Sequence, residues 1–285
     1  MDFKKSLSGK ISKSAQKALP GRFYVIGDIA VVNIPSECQP FREGIADAIF
    51  SVRKDVKTVL EKNSKIFGER RTGGFSFVKG ENRTTTVHKE DGYLYKIDLT
   101  SVFFSPKLAF ERMRIASLIT PQERIIIPFC GSGPFAIPSA DRGEEIIGVE
   151  KNPDACRYFM ENLKLNGLRE KGDIICADAL FIQDIIKGKN QFDRAIIPTA
   201  YGLDEALFKT SPLVKKEGKI HFYTFKTKEE IRPYSLYLEK NDLKILSFRR
   251  CGNIAPGVFR YVFDLQKKGL TQKRDDKKQR RPINF

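Results

Sequence analysis

The sequence predicts an α/β fold, a doubly wound sheet preceded by a small α+β domain, and three strand ends carry that prediction. A short apolar run, Ile125 to Ile127, reads as a buried strand and leads into the glycine turn Phe129-Cys130-Gly131-Ser132-Gly133-Pro134-Phe135. The small apolar segment Ala136 to Ala140 then has the composition of the first turns of a helix. A second apolar run, Ile146 to Val149, ends at Glu150, and a third, Ile174 to Ala177, ends at Asp178. Strand, glycine turn, helix, strand and acid in that order make half of an open nucleotide-binding sheet.

The residue types suit a nucleoside. Gly131 and Gly133 let the backbone approach a ligand that a Cβ would block. A carboxylate ending the second strand can accept from both ribose hydroxyls, and one ending the third can accept from an adenine amino group. No Lys-Ser or Lys-Thr follows the turn, so it is no P-loop, and the third glycine of the dinucleotide fingerprint is missing. Glycine, acid and acid on successive strand ends are the pattern of S-adenosylmethionine (SAM) binding in the class I methyltransferase fold. The competing reading makes the turn a structural link and the two acids helix caps.

The remaining elements are read in chain order. Residues 1–20 form a basic lead, amphipathic or disordered, ended by Pro20-Gly21. Phe23 to Ile26 and Ile29 to Ile34, split by Gly27-Asp28, give a hairpin signal. Ile45, Ala48, Ile49 and Val52 recur at helical spacing, and Val56, Val59 and Leu60 continue into a strand or half-helix. Phe75 to Val78, Thr84 to Val87 and Tyr93 to Asp98 read as strands, completing a small α+β domain over 21–100. A helix follows from Pro106 to Leu118 with Phe110, Met113 and Ile115 on its apolar side. After Glu150 come a helix from Asn152-Pro153 to Asn166-Gly167, a short helix from Leu180 to Ile186 and a fourth strand, Phe192 to Ile197. A helix from Asp204 to Leu213, a Gly218 turn, a strand to Phe225, a helix over 228–240 and two late strands close the cofactor domain, 101–266. The basic tail 267–285 is expected to be disordered.

Composition narrows the function. Residues 1–22 and 266–285 together hold fourteen basic and three acidic side chains, eleven of the sixteen net positive charges. Basic ends of this kind raise encounter rates with a polyanion without reading its sequence, unless they serve only solubility. No apolar run is long enough to span a membrane, and the lead lacks the apolar region of a secretory signal. Five scattered cysteines without a CxxC and two histidines argue against a metal site and a disulfide framework, so a reducing, cytoplasmic setting is expected.

From Gly21 to Leu265 the chain resembles the archaeal and eukaryotic family of tRNA guanosine-37 modifying enzymes. The matching stretches are IGDIAVV (26–32), VKTVL (56–60), GERRTGGFSFVKGENRTTTVHKEDGYLYKID (68–98), FFSPKLAFERMRIA (103–116), FCGSGPFAIPSA (129–140) and EKNPDACRYFMENLKLN (150–166). One branch methylates N1 of the guanine, and the other transfers the aminocarboxypropyl group of SAM in wyosine synthesis. The resemblance implies SAM as cofactor, the tRNA anticodon loop as partner, no metal, and a monomer. It implies that Glu150 holds the ribose and Asp178 the adenine, with Phe104, Phe129, Gly131, Gly133, Phe135, Lys151, Ala179 and Pro198 around them. It further implies that Arg71 relieves charge developing on the guanine O6 and that Glu111 is the general base for N1–H. A guanidinium suits the first task because it is always charged and planar, and a base for so weak an acid must sit close. From the residues alone, Arg71 could instead bind phosphate, and Glu111 could be an exposed helix carboxylate paired with Arg112 or Arg114.

Three departures qualify the resemblance. Ile127 and Pro128 stand where an acid usually precedes the glycine turn. Pro198-Thr199-Ala200-Tyr201 replaces the Asn-Leu-Pro that orients the target base in the methylating branch. The domain that grips the outer corner of tRNA is expected to be absent, leaving only the basic lead. The last two departures also occur in the aminocarboxypropyl branch, whereas the Gly-Pro-Phe of the turn looks like the methylating one. The order of expectation is N1-methyl transfer to guanosine 37, then aminocarboxypropyl transfer to a modified guanosine 37, then a non-catalytic RNA-binding protein on a SAM fold.

Overall fold

A computed structural model of the chain describes residues 3–9, 11–63, 74–189 and 191–268. Arg71 and the last seventeen residues of the basic tail lie outside the described residues. Of the two alternatives for the lead, the described part takes the amphipathic one. A 3₁₀ turn (Lys5–Leu7) and helix α1 (Lys13–Ala18) bury Phe3, Leu7, Ala15 and Leu19 and expose Lys5, Lys13 and Lys17.

Behind the lead, β1 (Tyr24–Ile26) and β2 (Ile29–Val32) pair as the expected hairpin. Helix α2 (Arg42–Val52) crosses to β3 (Thr58–Lys62), parallel to β2, and β4 (Phe75–Gly80) completes a sheet of order β1-β2-β3-β4. Every residue of β2 is buried because the strand alternates between two cores. Ala30 and Val32 face the core under α1 and α2, while Ile29 and Val31 join the core of the larger sheet.

The hairpin β5 (Thr85–Glu90) and β6 (Tyr93–Asp98) turns on Asp91-Gly92, both at positive φ, 49° and 92°. That is the turn geometry matching strand twist, and glycine adopts it without a Cβ penalty. Helix α3 (Ala109–Ala116) follows, and then the large sheet is laid down as β7 (Arg124–Pro128), α4 (Ala136–Ala140), β8 (Glu145–Glu150), α5 (Pro153–Leu165), β9 (Gly172–Cys176), α6 (Ile182–Ile185) and β10 (Phe192–Pro198). It closes with α7 (Ala206–Thr210), β11 (Val214–Lys226), α8 (Lys228–Lys240), β12 (Leu243–Ala255) and β13 (Val258–Lys267).

The seven strands lie in the order β12-β13-β11-β10-β7-β8-β9, with β13 antiparallel to both neighbours and the other pairs parallel. The chain winds outward from β7 to β9, then returns to the other side of β7. The loops leaving β7 and β10 therefore diverge and open a crevice at the carboxyl ends of the strands.

Two amides on α5 fasten the β5–β6 hairpin to this sheet. Asn166 accepts from Leu94 N (2.9 Å) and donates to Leu94 O (2.7 Å), and Asn162 does the same for Lys96 (2.7 and 3.2 Å). Spaced one helical turn apart, they satisfy a strand edge as a neighbouring strand would. Asn162 also donates to Ser132 O at 2.9 Å, tying the glycine turn to the hairpin.

Two local expectations are corrected. Phe110 is 71% exposed, and α3 instead buries Glu111, Arg112, Ile115 and Ala116. The helix lies over polar side chains of the large sheet, so its charged residues find partners inward. Gly218 does not end an element either. It lies within β11, at the register shift against β10, where Glu217 has φ 61° and Asp193 O would sit 2.9 Å from an added Cβ.

Candidate active site

The glycine turn is held by the acid that follows the next strand. Phe129 and Gly131 have φ of 55° and 56°, and Gly131 N donates to Glu150 Oε2 at 3.1 Å. The other oxygen of Glu150 accepts from Asn152 N at 2.9 Å. Asn152 caps α5 by accepting from Asp154 N (3.1 Å) and donates to Ser101 O (2.8 Å). Asp178 accepts from Leu180 N at 3.0 Å, and its second oxygen stands 3.8 Å from Lys151 Nζ. Asp178 therefore does the capping work of the competing reading, whereas Glu150 holds the turn and leaves the cap of α5 to Asn152. Both also line the crevice, and a carboxylate has lone pairs to spare after one such bond.

The crevice is a cavity of about 450 Å³ spanning the ends of β7 to β11 and β13. Of the ten residues expected around a cofactor, Phe104, Phe129, Gly131, Phe135, Glu150, Lys151, Asp178 and Pro198 line it. Gly133 and Ala179 do not. Gly133 has φ 90°, which favours glycine, and a Cβ on it would press on the Phe159 ring of α5 at 3.1 Å; Ala179 is buried in the core behind α6. At Gly131, by contrast, an added Cβ would meet nothing within 4 Å. Two carboxylates, aromatic walls and an open backbone fit a nucleoside bearing a charged tail.

The far end of the cavity is built from residues distant in sequence. Arg112 is 2% exposed and pairs with Glu90 (2.8 and 3.2 Å) while donating to Ser105 O (2.6 Å) under the Phe104 ring. Burial pulls its pKa below the ordinary arginine value, and the Glu90 carboxylate works against that. It pins the Phe-Ser-Pro segment to the hairpin. Glu111 turns the other way. It is 3% exposed and does not line the cavity, and it accepts from Arg114 (3.2 Å), from Arg249 and from the Tyr223 hydroxyl (3.1 Å). Tyr223, buried against Phe135, does line it, and burial holds its hydroxyl pKa well above the usual value.

Behind Glu111 runs a chain of paired charges. Arg114 also binds Asp264 (2.8 and 3.1 Å), Asp264 meets His221 Nδ1 (2.6 Å), and His221 Nε2 meets Arg194 (2.5 Å), which pairs with Glu123 (2.6 Å). Since an arginine can only donate, Nε2 accepts and Nδ1–H donates to Asp264. Burial would raise the Asp264 pKa, yet the hydrogen bonds from His221 and Arg114 outweigh it and hold the carboxyl well below the usual range.

Sequence reasoning missed Tyr223 and Arg260, both in the lining. Neither lies in a motif, and only the pairing of β11 with β13 brings them together.

Residues 86–243 match the model of the TRM5/TYW2 methyltransferase domain, and residues 3–84 match that of the TYW2 N-terminal domain. The chain is 33% identical over 265 residues to the tRNA (guanine(37)-N(1))-methyltransferase Trm5b of Pyrococcus abyssi, covering 90% of this chain and 78% of that protein. It is 30% identical over 274 residues to the tRNA(Phe) (4-demethylwyosine(37)-C(7)) aminocarboxypropyltransferase of Pyrococcus horikoshii, covering 91% and 94%. The solved structure of P. horikoshii TYW2 in complex with MeSAdo is similar at a TM-score of 0.77 and 27% identity, covering 93% of this chain and 97% of that one.

Proposed function

The chain belongs to the TRM5/TYW2 methyltransferase family, and on that premise we propose that it is a SAM-dependent tRNA methyltransferase acting on N1 of guanosine 37, next to the anticodon. The observation that carries this reading is one cavity with Glu150 and Asp178 at one end and Tyr223, backed by Glu111, at the other. Its setting is read as cytoplasmic and its state as a monomer. Among the described residues no helix is long and apolar enough to cross a membrane, and no group of three or more His, Cys, Asp and Glu could hold a metal. Residues 21–100 are assigned the RNA-facing role, 101–266 the cofactor.

When bound, SAM supplies an electrophilic methyl carbon on a sulfonium. Glu150 would receive the ribose hydroxyls and Asp178 the adenine amino group, between the walls of Phe104, Phe129, Phe135, Lys151 and Pro198. Gly133 and Ala179 support that wall from behind. Guanine N1–H is a weak acid, so the chain must place a base within reach. The Tyr223 hydroxyl stands between the cavity and Glu111. The N1 proton passes to Tyr223 Oη as Tyr223 passes its own proton to Glu111 Oε2. The guanine exchanges its N1–H bond for an N1–C bond, the methyl carbon's bond to sulfur would break to leave a neutral thioether, and the proton ends on Glu111. Arg71 is assigned to O6, where charge grows as N1 loses its proton.

One set of observations favours a second reading, aminocarboxypropyl transfer: the match of residues 3–84 to the TYW2 N-terminal domain, and the fuller coverage of the aminocarboxypropyltransferase. Mass spectrometry of tRNA after incubation with SAM separates the readings. A gain of about 14 daltons at position 37 is a methyl group, and one of about 101 is aminocarboxypropyl. Bound but unaltered tRNA would leave the RNA-binding scaffold.

A further inference from the structure

Arg260 is out of keeping with the buried and half-buried arginines around it. Arg112, Arg114, Arg194 and Arg249 each meet a carboxylate. The Arg260 side chain lines the cavity and has no ion pair or hydrogen bond to any described residue, and its guanidinium lies 4.9 Å over the ring of Phe225, its neighbour on β11. Burial pulls its pKa down, and no carboxylate among the described residues offsets that. A partly desolvated cation that cannot give up its charge is costly unless something electronegative arrives to meet it.

The sheet order says what arrives. Arg260 pairs with Phe225 on β11, and Asp178 follows β9, five strand spacings away. At about 4.8 Å per spacing, that is roughly 24 Å across the cavity. The adenosine end therefore belongs to Asp178 and Glu150, and Arg260 faces the acceptor end beside Tyr223. An acceptor purine that reacts through N1 must turn its Watson–Crick edge to the transferred group. Its keto oxygen and imidazole nitrogen, O6 and N7, remain for recognition, and a guanidinium fork matches that pair of acceptors.

We propose that Arg260 grips the O6/N7 edge of the base at position 37 and holds its reacting edge toward Tyr223. The inference rests on the tRNA-modifying reading above, but not on its branch. Closing a third ring across N1 and N2 leaves O6 and N7 in place, so guanine and a guanine-derived tricycle offer Arg260 the same pair.

The test is a cycle between protein and substrate: wild type and Arg260→Met, each against tRNA with guanosine or 7-deazaguanosine at position 37. Single-turnover transfer should fall roughly ten- to a hundredfold for either change alone and little further for both, because each removes the same contact. SAM affinity and the salt dependence of tRNA binding should not move, and Arg260→Lys should restore part of the rate. Independent, multiplying effects overturn the proposal. So does a drop in SAM affinity, which would make Arg260 a partner of the cofactor carboxylate, or a salt slope shallower by about one, which would make it a phosphate contact. If wild type adds no mass to any tRNA, the catalytic reading fails. The same cycle is then run on tRNA affinity in the presence of S-adenosylhomocysteine, where additivity again overturns the role of Arg260.

Discussion

The two ends of the cavity are assembled in opposite ways. At the cofactor end the residues come from consecutive strand ends and fix one another locally: Glu150 holds Gly131 N and Asn152 N, and Asp178 holds Leu180 N. At the acceptor end Glu111 reaches Tyr223 and Arg249, 112 and 138 residues further along. The first end is a set of strand-to-loop turns that any open α/β sheet can build. The second exists only once α3 lies across β11, β12 and β13. Affinity for the cofactor should therefore belong to one end and the rate of transfer to the other.

The largest expected effect lies at the acceptor end. Glu111→Gln keeps the shape and a hydrogen bond to Tyr223 but removes the proton's destination. Single-turnover transfer should fall by roughly 10²- to 10⁴-fold, the span typical of a lost general base. SAM binding by calorimetry should hold. A variant that transfers at the wild-type rate would return Glu111 to a purely structural ion pair.

The opposite end should behave in the opposite way. Glu150→Ala removes an acceptor from Gly131 N and Asn152 N as well as from the ribose, so SAM affinity should drop roughly ten- to a hundredfold for the loss of a charged acceptor. At saturating SAM the transfer rate should stay within a few-fold. If the rate collapsed while affinity held, the division between the two ends would be wrong.

Between them, in effect, comes the charge chain behind Glu111. His221 is 3% exposed, its Nδ1–H already donates to Asp264, and its Nε2 faces an arginine. Burial first, and then the Arg194 charge, lower its pKa, though Asp264 opposes them. A histidine depressed in the folded state binds its proton more readily unfolded. Stability is then full above the unfolded value of about 6.5 and is lost as pH falls below it, by up to about 1.4 kcal/mol per pH unit. Asp264, also depressed, adds a loss of the same sign below about pH 3.9. Denaturant melts between pH 7 and 5 should show the first slope, and His221→Gln should flatten it. A stability that rose on acidification would contradict the assigned tautomer.

How much of this was legible in the sequence follows the same division. The strands, the switch of direction, and the acids at 150 and 178 could be read because each signal spans a few residues. The glycines were legible as a turn, but not that Gly133 answers to Phe159 while Gly131 answers to open space. In the Glu-Arg pair of α3, nothing local says that Arg112 turns to Glu90 and Glu111 to Tyr223. Arg260 carried no signal, being one basic residue in a basic chain. Hydrophobic periodicity failed where polar side chains of the sheet took the place of an apolar core.

Phe110 gives the smallest and most specific check of that failure. Apolar spacing puts it on the buried side of α3, where replacement by serine would cost several kcal/mol as a core truncation. The fold puts it 71% exposed, with the Arg249 guanidinium 5.5 Å over its ring. On that geometry Phe110→Ser removes at most an exposed cation–π contact, so stability should change by about 0.5–1 kcal/mol or less in a urea melt. Because Arg249 also holds Glu111, the transfer rate should shift by only a few-fold, through the looser arginine. A cost of several kcal/mol would mean that α3 is rotated from the position described, and the Glu111–Tyr223 bond, which depends on that rotation, would have to be abandoned with it.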